Sequence, residues 1–200
     1  MENIIILNAS PRAPKSNSKT YAQIFQRYSK LQTEYFSINK LNHIEICNKI
    51  EQFSHILFVF PLYADSIPVT LLNFLKTLEN NSPKNKPVIS VLINCGFIEP
   101  EQNDTAVRIM QIFCKQNGYA FGSVLKIGSG EAILETPFRF FVSRKIKKFA
   151  SSLKNKNYGV FKTTMPISKN TFVKASTNYW INYGRKNGIS KEEMQTMKIE

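Results

Sequence analysis

The apolar residues of this chain fall into two rhythms. Short, nearly continuous apolar runs occur at residues 4–7, 56–60, 88–93 and 121–127, with a weaker one at 34–38. Between them, apolar residues recur at helical spacing: Ala22, Ile24, Phe25 and Tyr28; Ile44, Ile46, Ile50 and Phe53; Leu71, Leu72, Leu75 and Leu78; Val107, Met110, Ile112, Phe113 and Cys114; and a stretch over 142–153. Runs apolar on both faces mark strands of a parallel sheet buried on both sides. The pattern predicts five strands alternating with helices, joined by right-handed crossovers into a three-layer, doubly wound α/β domain over residues 1–156. Five such units fit strand order 2-1-3-4-5 better than a six-stranded dinucleotide fold.

Residues 157–200 lie beyond that pattern. An irregular stretch at 158–172 leads to a helix bearing Tyr179, Trp180 and Tyr183. Asn187-Gly188 signals a turn, and Ser190 with Glu193 forms a capping box for a last short helix. Charge changes the picture here. Residues 1–138 carry 13 Lys/Arg against 11 Asp/Glu, whereas residues 139–200 carry 14 against 3. A solvated basic surface accounts for this, and an acidic or nucleic-acid partner is the competing reading. The aromatics are mixed with apolar residues rather than laid out as an RNA-binding motif, which argues against nucleic acid. The extension is expected to pack on the core or on a partner subunit, with Trp180 buried and the lysines outward.

No apolar run approaches the ~20 residues of a membrane span. The start, Met1-Glu2-Asn3, lacks a basic segment and leads into the first strand rather than reading as a signal peptide. Cys47, Cys95 and Cys114 are scattered and form no C-x-x-C, so neither a disulfide framework nor a metal centre is expected. A reducing, cytoplasmic setting fits best.

In an open parallel sheet, ligands bind beyond the carboxyl ends of the strands, where strand order reverses. The loops after strands one, three and four therefore carry the candidate chemistry. The first contains Ser10, Arg12, Lys15, Ser16, Asn17 and Ser18 between a strand and a helix. Hydroxyls and free backbone N–H groups at a helix start, with two cations, suit a phosphate. A helix cap by Ser16 or Ser18 would explain one serine but not the whole stretch. Neither G-x-x-x-x-G-K-[ST] nor G-x-G-x-x-G is present, and Gly128-x-Gly130 is a weak signal. The second loop, Pro61-Leu62-Tyr63-Ala64, offers an aromatic face to a flat ligand, although Tyr63 could equally pack in a plain connector. The third is Asn94-Cys95-Gly96-Phe97, where Gly96 permits close backbone approach and Phe97 can pack on a ring. The two histidines, His43 and His55, lie outside these loops, so Cys95 has no visible base to make it a nucleophile.

These residues carry a resemblance. Ser10-Pro11-Arg12 with Ser16-Asn17-Ser18, Pro61-Leu62-Tyr63 with Ser66-Ile67-Pro68, and Asn94-Cys95-Gly96-Phe97 together resemble the flavodoxin-like NAD(P)H-dependent oxidoreductases of the FMN reductase and quinone reductase branch. The first loop is one or two residues longer than common forms, and the third departs from their Gly-Gly. The ending Trp180-x-x-x-Gly184-Arg185-Lys186-Asn187-Gly188-Ile189 is similar to the tail of some bacterial members. The resemblance implies a five-stranded flavodoxin-like fold. It implies FMN with its phosphate on Ser10, Arg12, Ser16, Asn17 and Ser18, and its ring near Pro61, Leu62, Tyr63, Ala64, Asn94, Cys95, Gly96 and Phe97.

The implied activity passes hydride from NAD(P)H through the flavin to a small acceptor such as a quinone or free flavin. The cofactor carries that chemistry, so no catalytic acid or base is assigned. A homodimer is possible within such a family. Two alternatives stand beside it: a flavin-binding electron carrier, and a flavin-free interaction protein that keeps the fold.

Overall fold

The computed structural model describes residues 2–12 and 15–196, in two compact units that divide between Met165 and Pro166. In the first unit, β1 (Asn3–Asn8), β2 (Gln32–Ser37), β3 (His55–Pro61), β4 (Val88–Asn94), β5 (Phe121–Ile127) and β6 (Val160–Thr163) form one sheet. Their order is β2-β1-β3-β4-β5-β6, with every neighbouring pair parallel. The helices are α1 (Asn17–Tyr28), α2 (His43–Ile50), α3 (Val69–Asn80), α4 (Asp104–Asn117) and α5 (Arg139–Lys154).

The expected 2-1-3-4-5 order is present, but the sheet has six strands, not five. The stretch expected to be irregular contains β6, which pairs with β5 from Val124↔Val160 to Ile127↔Thr163. The sheet thus takes in residues placed with the C-terminal extension on sequence grounds. β6 is only four residues long and alternates exposed with half-buried positions, as a short edge strand does. That alternation lacks the continuous apolar run by which the other strands announce themselves.

One face of the sheet is covered by α2, α3 and α4. Ile46, Leu71, Phe74 and Met110 pack there against Ile5, Phe58 and Val91. Phe58 and Phe74 meet edge to face at 6.0 Å. The other face is covered by α1 and α5, where Phe25 meets Phe149 at 5.8 Å and Phe149 meets Phe161 of β6 at 6.1 Å. Such edge-to-face pairs contribute beyond the area they bury. The two crossovers on this second face step in opposite directions along the sheet. The crossover from β5 through α5 to β6 is therefore opposite in hand to that from β1 through α1 to β2. Nearly all such units are right-handed, so one of these two breaks a strong rule.

The second unit holds α6 (Lys169–Lys186) and α7 (Lys191–Thr196). Ser168 caps α6 by accepting from the Thr171 N–H, and the Ser190–Glu193 capping box forms as expected. Gly184 lies so close to Met194 that a methyl group there would meet its sulfur at 2.6 Å. Within this unit Trp180 is 50% exposed, and Tyr179 and Tyr183 are exposed beside it. The three rings instead pack on one another, Tyr179 and Tyr183 stacking one helical turn apart. No helix among the described residues is long and apolar enough to cross a membrane.

Candidate functional site

Strand order reverses at β1, and a cleft of about 160 Å³ opens beyond the carboxyl ends of β1, β3 and β4. Its floor is built on Asn8, the fully buried last residue of β1. The Asn8 amide donates to the Tyr35 hydroxyl at 2.9 Å and reaches Ser16 Oγ at 3.5 Å, while its carbonyl accepts from the Ser10 N–H at 3.0 Å. One side chain thereby fixes both ends of the first loop. Ser16 is the α1 N-cap, its Oγ accepting from the Lys19 N–H at 3.2 Å. A cap satisfies one of the orphan N–H groups at a helix start and leaves the earliest ones for a ligand. Ser10, Arg12, Lys15, Ser16, Asn17 and Ser18 all line the cleft.

Not all of these side chains face outward chemically. Ser18 is buried, and its Oγ accepts from the Asn94 amide at 3.1 Å. The Asn17 amide donates to two main-chain carbonyls, Gly130 at 3.1 Å and Glu131 at 3.3 Å. Asn17 is thus a strut as well as a lining residue. The anion-binding capacity of the loop rests on Arg12, Lys15, the serine hydroxyl protons and the backbone N–H groups at the start of α1.

Pro61, Leu62 and Tyr63 line the opposite wall, with Asn94 between. Tyr63 and Ser66 bridge each other by two main-chain hydrogen bonds, 3.0 and 2.9 Å, closing a two-residue turn. Its central residues, Ala64 and Asp65, have φ of 46° and 56°. Such turns usually carry Asn or Gly, because other side chains are strained in that region. Strain of this kind concentrates where structure serves a site. The turn holds Tyr63 with half its surface exposed.

Ala64 of the second loop and Cys95, Gly96 and Phe97 of the third lie outside the lining to which Tyr63 and Asn94 belong. Cys95 is buried; its N–H donates to Ile127 and its carbonyl accepts from Gly130. Its sulfur receives the Asn103 amide at 3.3 Å and faces the carbonyls of Phe97 and Glu99. Burial pushes the Cys95 thiol pKa up, the opposite of what a nucleophile needs. Gly96 and Phe97 are exposed beside it.

A fourth loop, after β5, completes the site and was read from the sequence only as a weak glycine signal. Gly130 donates to Cys95, and its carbonyl receives both Asn17 and the buried Tyr21 hydroxyl, the latter at 2.8 Å. A methyl group on Gly130 would lie 2.8 Å from the Asn94 Cβ, so only glycine permits this approach. The strand β6 supports the loop from behind. Gly128 donates to Thr163, and Ser129 Oγ meets Thr164 Oγ1 at 3.0 Å. The arrangement projects Glu131 into the cleft. Among the described residues, no group of three or more His, Cys, Asp or Glu is placed to hold a metal ion.

No family model and no curated protein sequence matches this chain. Solved structures do. The NAD(P)H:quinone oxidoreductase from Methanothermobacter marburgensis superposes with a TM-score of 0.62 at 13% identity, over 76% of this chain and 96% of that one. A Fusobacterium nucleatum flavodoxin bound to flavin mononucleotide gives 0.58 at 15% identity, over 80% and 100%. This chain has a flavodoxin-like fold. The rubredoxin oxygen:oxidoreductase from Desulfovibrio gigas matches with a TM-score of 0.61 at 11% identity, over 78% of this chain but only 36% of that one. In the flavodoxin-like frame, β1, β3 and β4 deliver the three loops selected from the sequence to one edge, and β5 adds the fourth.

Proposed function

We propose that the cleft binds FMN and that the protein is a flavin-dependent oxidoreductase, taking hydride from NAD(P)H and passing it to a small acceptor. The observation that carries this reading is the junction of two unlike surfaces in one cleft. An anion-accepting loop with Arg12, Lys15 and the start of α1 faces a strained turn that presents Tyr63. A phosphate ester joined to a flat ring matches that pair. The residues present fit the cofactor: cations and N–H donors for the phosphate, and a fixed, half-exposed phenol for a ring face.

Bound flavin supplies the hydride chemistry; the chain supplies binding and orientation. In this reading Arg12 and Lys15 neutralise the phosphate, the Ser10 and Ser16 hydroxyls donate to it, and buried Ser18 braces the loop through Asn94. Asn94 holds α1 and β3 at a fixed separation, donating to Ser18 Oγ and to the Phe60 carbonyl. Tyr63 covers one ring face and keeps water from it. Three buried free cysteines suit a reducing, cytoplasmic setting. A second copy of the chain would close the exposed Tyr63 side of the cleft.

The test is direct. Purified protein is denatured and the supernatant examined for FMN, and flavin-loaded protein is mixed anaerobically with NADH or NADPH. Bleaching of the flavin by either nucleotide is expected. Flavin that loads but is bleached by neither makes the protein an electron carrier, and a protein that never takes flavin refutes the reading.

A further inference from the structure

Among the described residues, Glu131 is the one acidic side chain lining the cleft, beside Arg12, Lys15 and the polar residues of the first loop. The main chain that carries it is held from several sides. Its own carbonyl and that of Gly130 accept from Asn17, Gly130 donates to Cys95, and Ser129, two positions earlier, adopts a left-handed φ of 53°. The carboxylate lies over Gly96, Cδ and Oε2 each 3.7 Å from where a Cβ on that residue would stand. It therefore bridges the space between the phosphate-type loop and the third loop. Among the described residues it has no ion-pair partner within 4 Å, although two cations share the cleft.

A carboxylate is a poor neighbour for a phosphate but a strong acceptor for hydroxyl donors. In the reading above, the part of the ligand between phosphate and ring is a chain of hydroxyls. A fixed negative charge has a second effect. The oxidised ring is neutral, and taking up two electrons with one proton leaves it an anion, which a nearby carboxylate opposes.

We propose that Glu131 holds the hydroxylated chain of the flavin and, through its charge, sets the bound flavin's reduction potential low. This rests on the flavin reading of the cleft.

The experiment measures, for wild type, Glu131→Gln and Glu131→Ala, the affinity for oxidised FMN and riboflavin and the midpoint potential of bound FMN at low and high salt. Glu131→Gln keeps an acceptor oxygen and loses the charge. It is expected to raise the potential, as a roughly tenfold gain in affinity for reduced over oxidised flavin, with the gap narrowing at high salt. Glu131→Ala is expected to raise the potential too and to weaken both FMN and riboflavin several-fold. Wild-type protein that binds FMN while both variants keep its potential and affinities overturns the role of Glu131 and leaves the flavin reading standing. Wild-type protein that binds neither flavin overturns the reading itself, and this role with it.

Discussion

Asn17, at the first turn of α1, donates its side-chain amide to the carbonyl of Gly130, 3.1 Å away and 113 positions along the chain. The bond ties the loop after β1 to the loop after β5 across the intervening β3 and β4. The other amide contact of Asn17 is to the Glu131 carbonyl, so both amide protons engage the fourth loop.

Removing that strut is expected to loosen both loops. Asn17→Ala removes a donor from the Glu131 carbonyl and leaves the Gly130 carbonyl with the Tyr21 hydroxyl alone, and a lost hydrogen bond of this kind costs about 1–2 kcal/mol. FMN affinity should fall roughly tenfold, read by fluorescence titration. Riboflavin, which lacks the phosphate, should lose affinity as well, because Glu131 and Gly130 move together with the loop. A loss confined to FMN would return Asn17 to the role of a phosphate ligand.

The turn at Ala64 and Asp65 offers a stability test. Both residues hold positive φ, which costs a non-glycine residue ~1–2 kcal/mol. Ala64→Gly is therefore expected to stabilise the fold by about 0.5–1 kcal/mol, the relief exceeding the added chain entropy of glycine. Denaturant unfolding checks this. Weaker flavin binding alongside higher stability would show that the strain holds Tyr63 in place.

At the amino-terminal ends of the strands, buried His55 meets the Tyr158 hydroxyl through Nε2 at 3.0 Å and Ser54 Oγ through Nδ1 at 3.3 Å. Burial lowers its pKa, a shift partly offset by the charge of Glu2. Folding therefore favours the neutral ring. The stability this provides is complete above the unfolded pKa of about 6.5 and is lost progressively as pH falls through that value to the lower folded one. Unfolding free energies measured between pH 8 and 5 should decline, and His55→Gln should flatten the decline. An equal slope in the variant would assign the acid sensitivity elsewhere.

Most of the sheet was legible because buried parallel strands are apolar throughout: the runs at 4–7, 56–60, 88–93 and 121–127 all lie within observed strands. Three of the four site loops were legible because strand order fixes where a ligand sits. β6 was not, since a half-exposed four-residue edge strand leaves no apolar run, and its crossover through α5 goes against the hand of the crossover through α1. The fourth loop was missed for the same reason, because Gly128 and Ser129 depend on Thr163 and Thr164 for their partners.

The role of β6 leads to the last prediction, which compares two truncations. A chain ending after Tyr158 lacks β6 and loses the Gly128–Thr163 and Ser129–Thr164 contacts. It also uncovers the edge of β5 and strips Phe161 from Phe149. A chain ending after Met165 keeps all of these, and every residue lining the cleft lies in its first 131 positions. The longer truncate is expected to unfold cooperatively and to bind FMN within about threefold of the full chain, well under the tenfold that 1.4 kcal/mol represents. The shorter one should lose several kcal/mol through its exposed sheet edge and broken loop anchors, and should bind FMN weakly or aggregate. Circular dichroism melts and flavin titration of both distinguish the cases. Equal behaviour of the two would show that β6 does not support the site, and failure of the longer one would show that residues 166–200 are needed for folding or flavin retention.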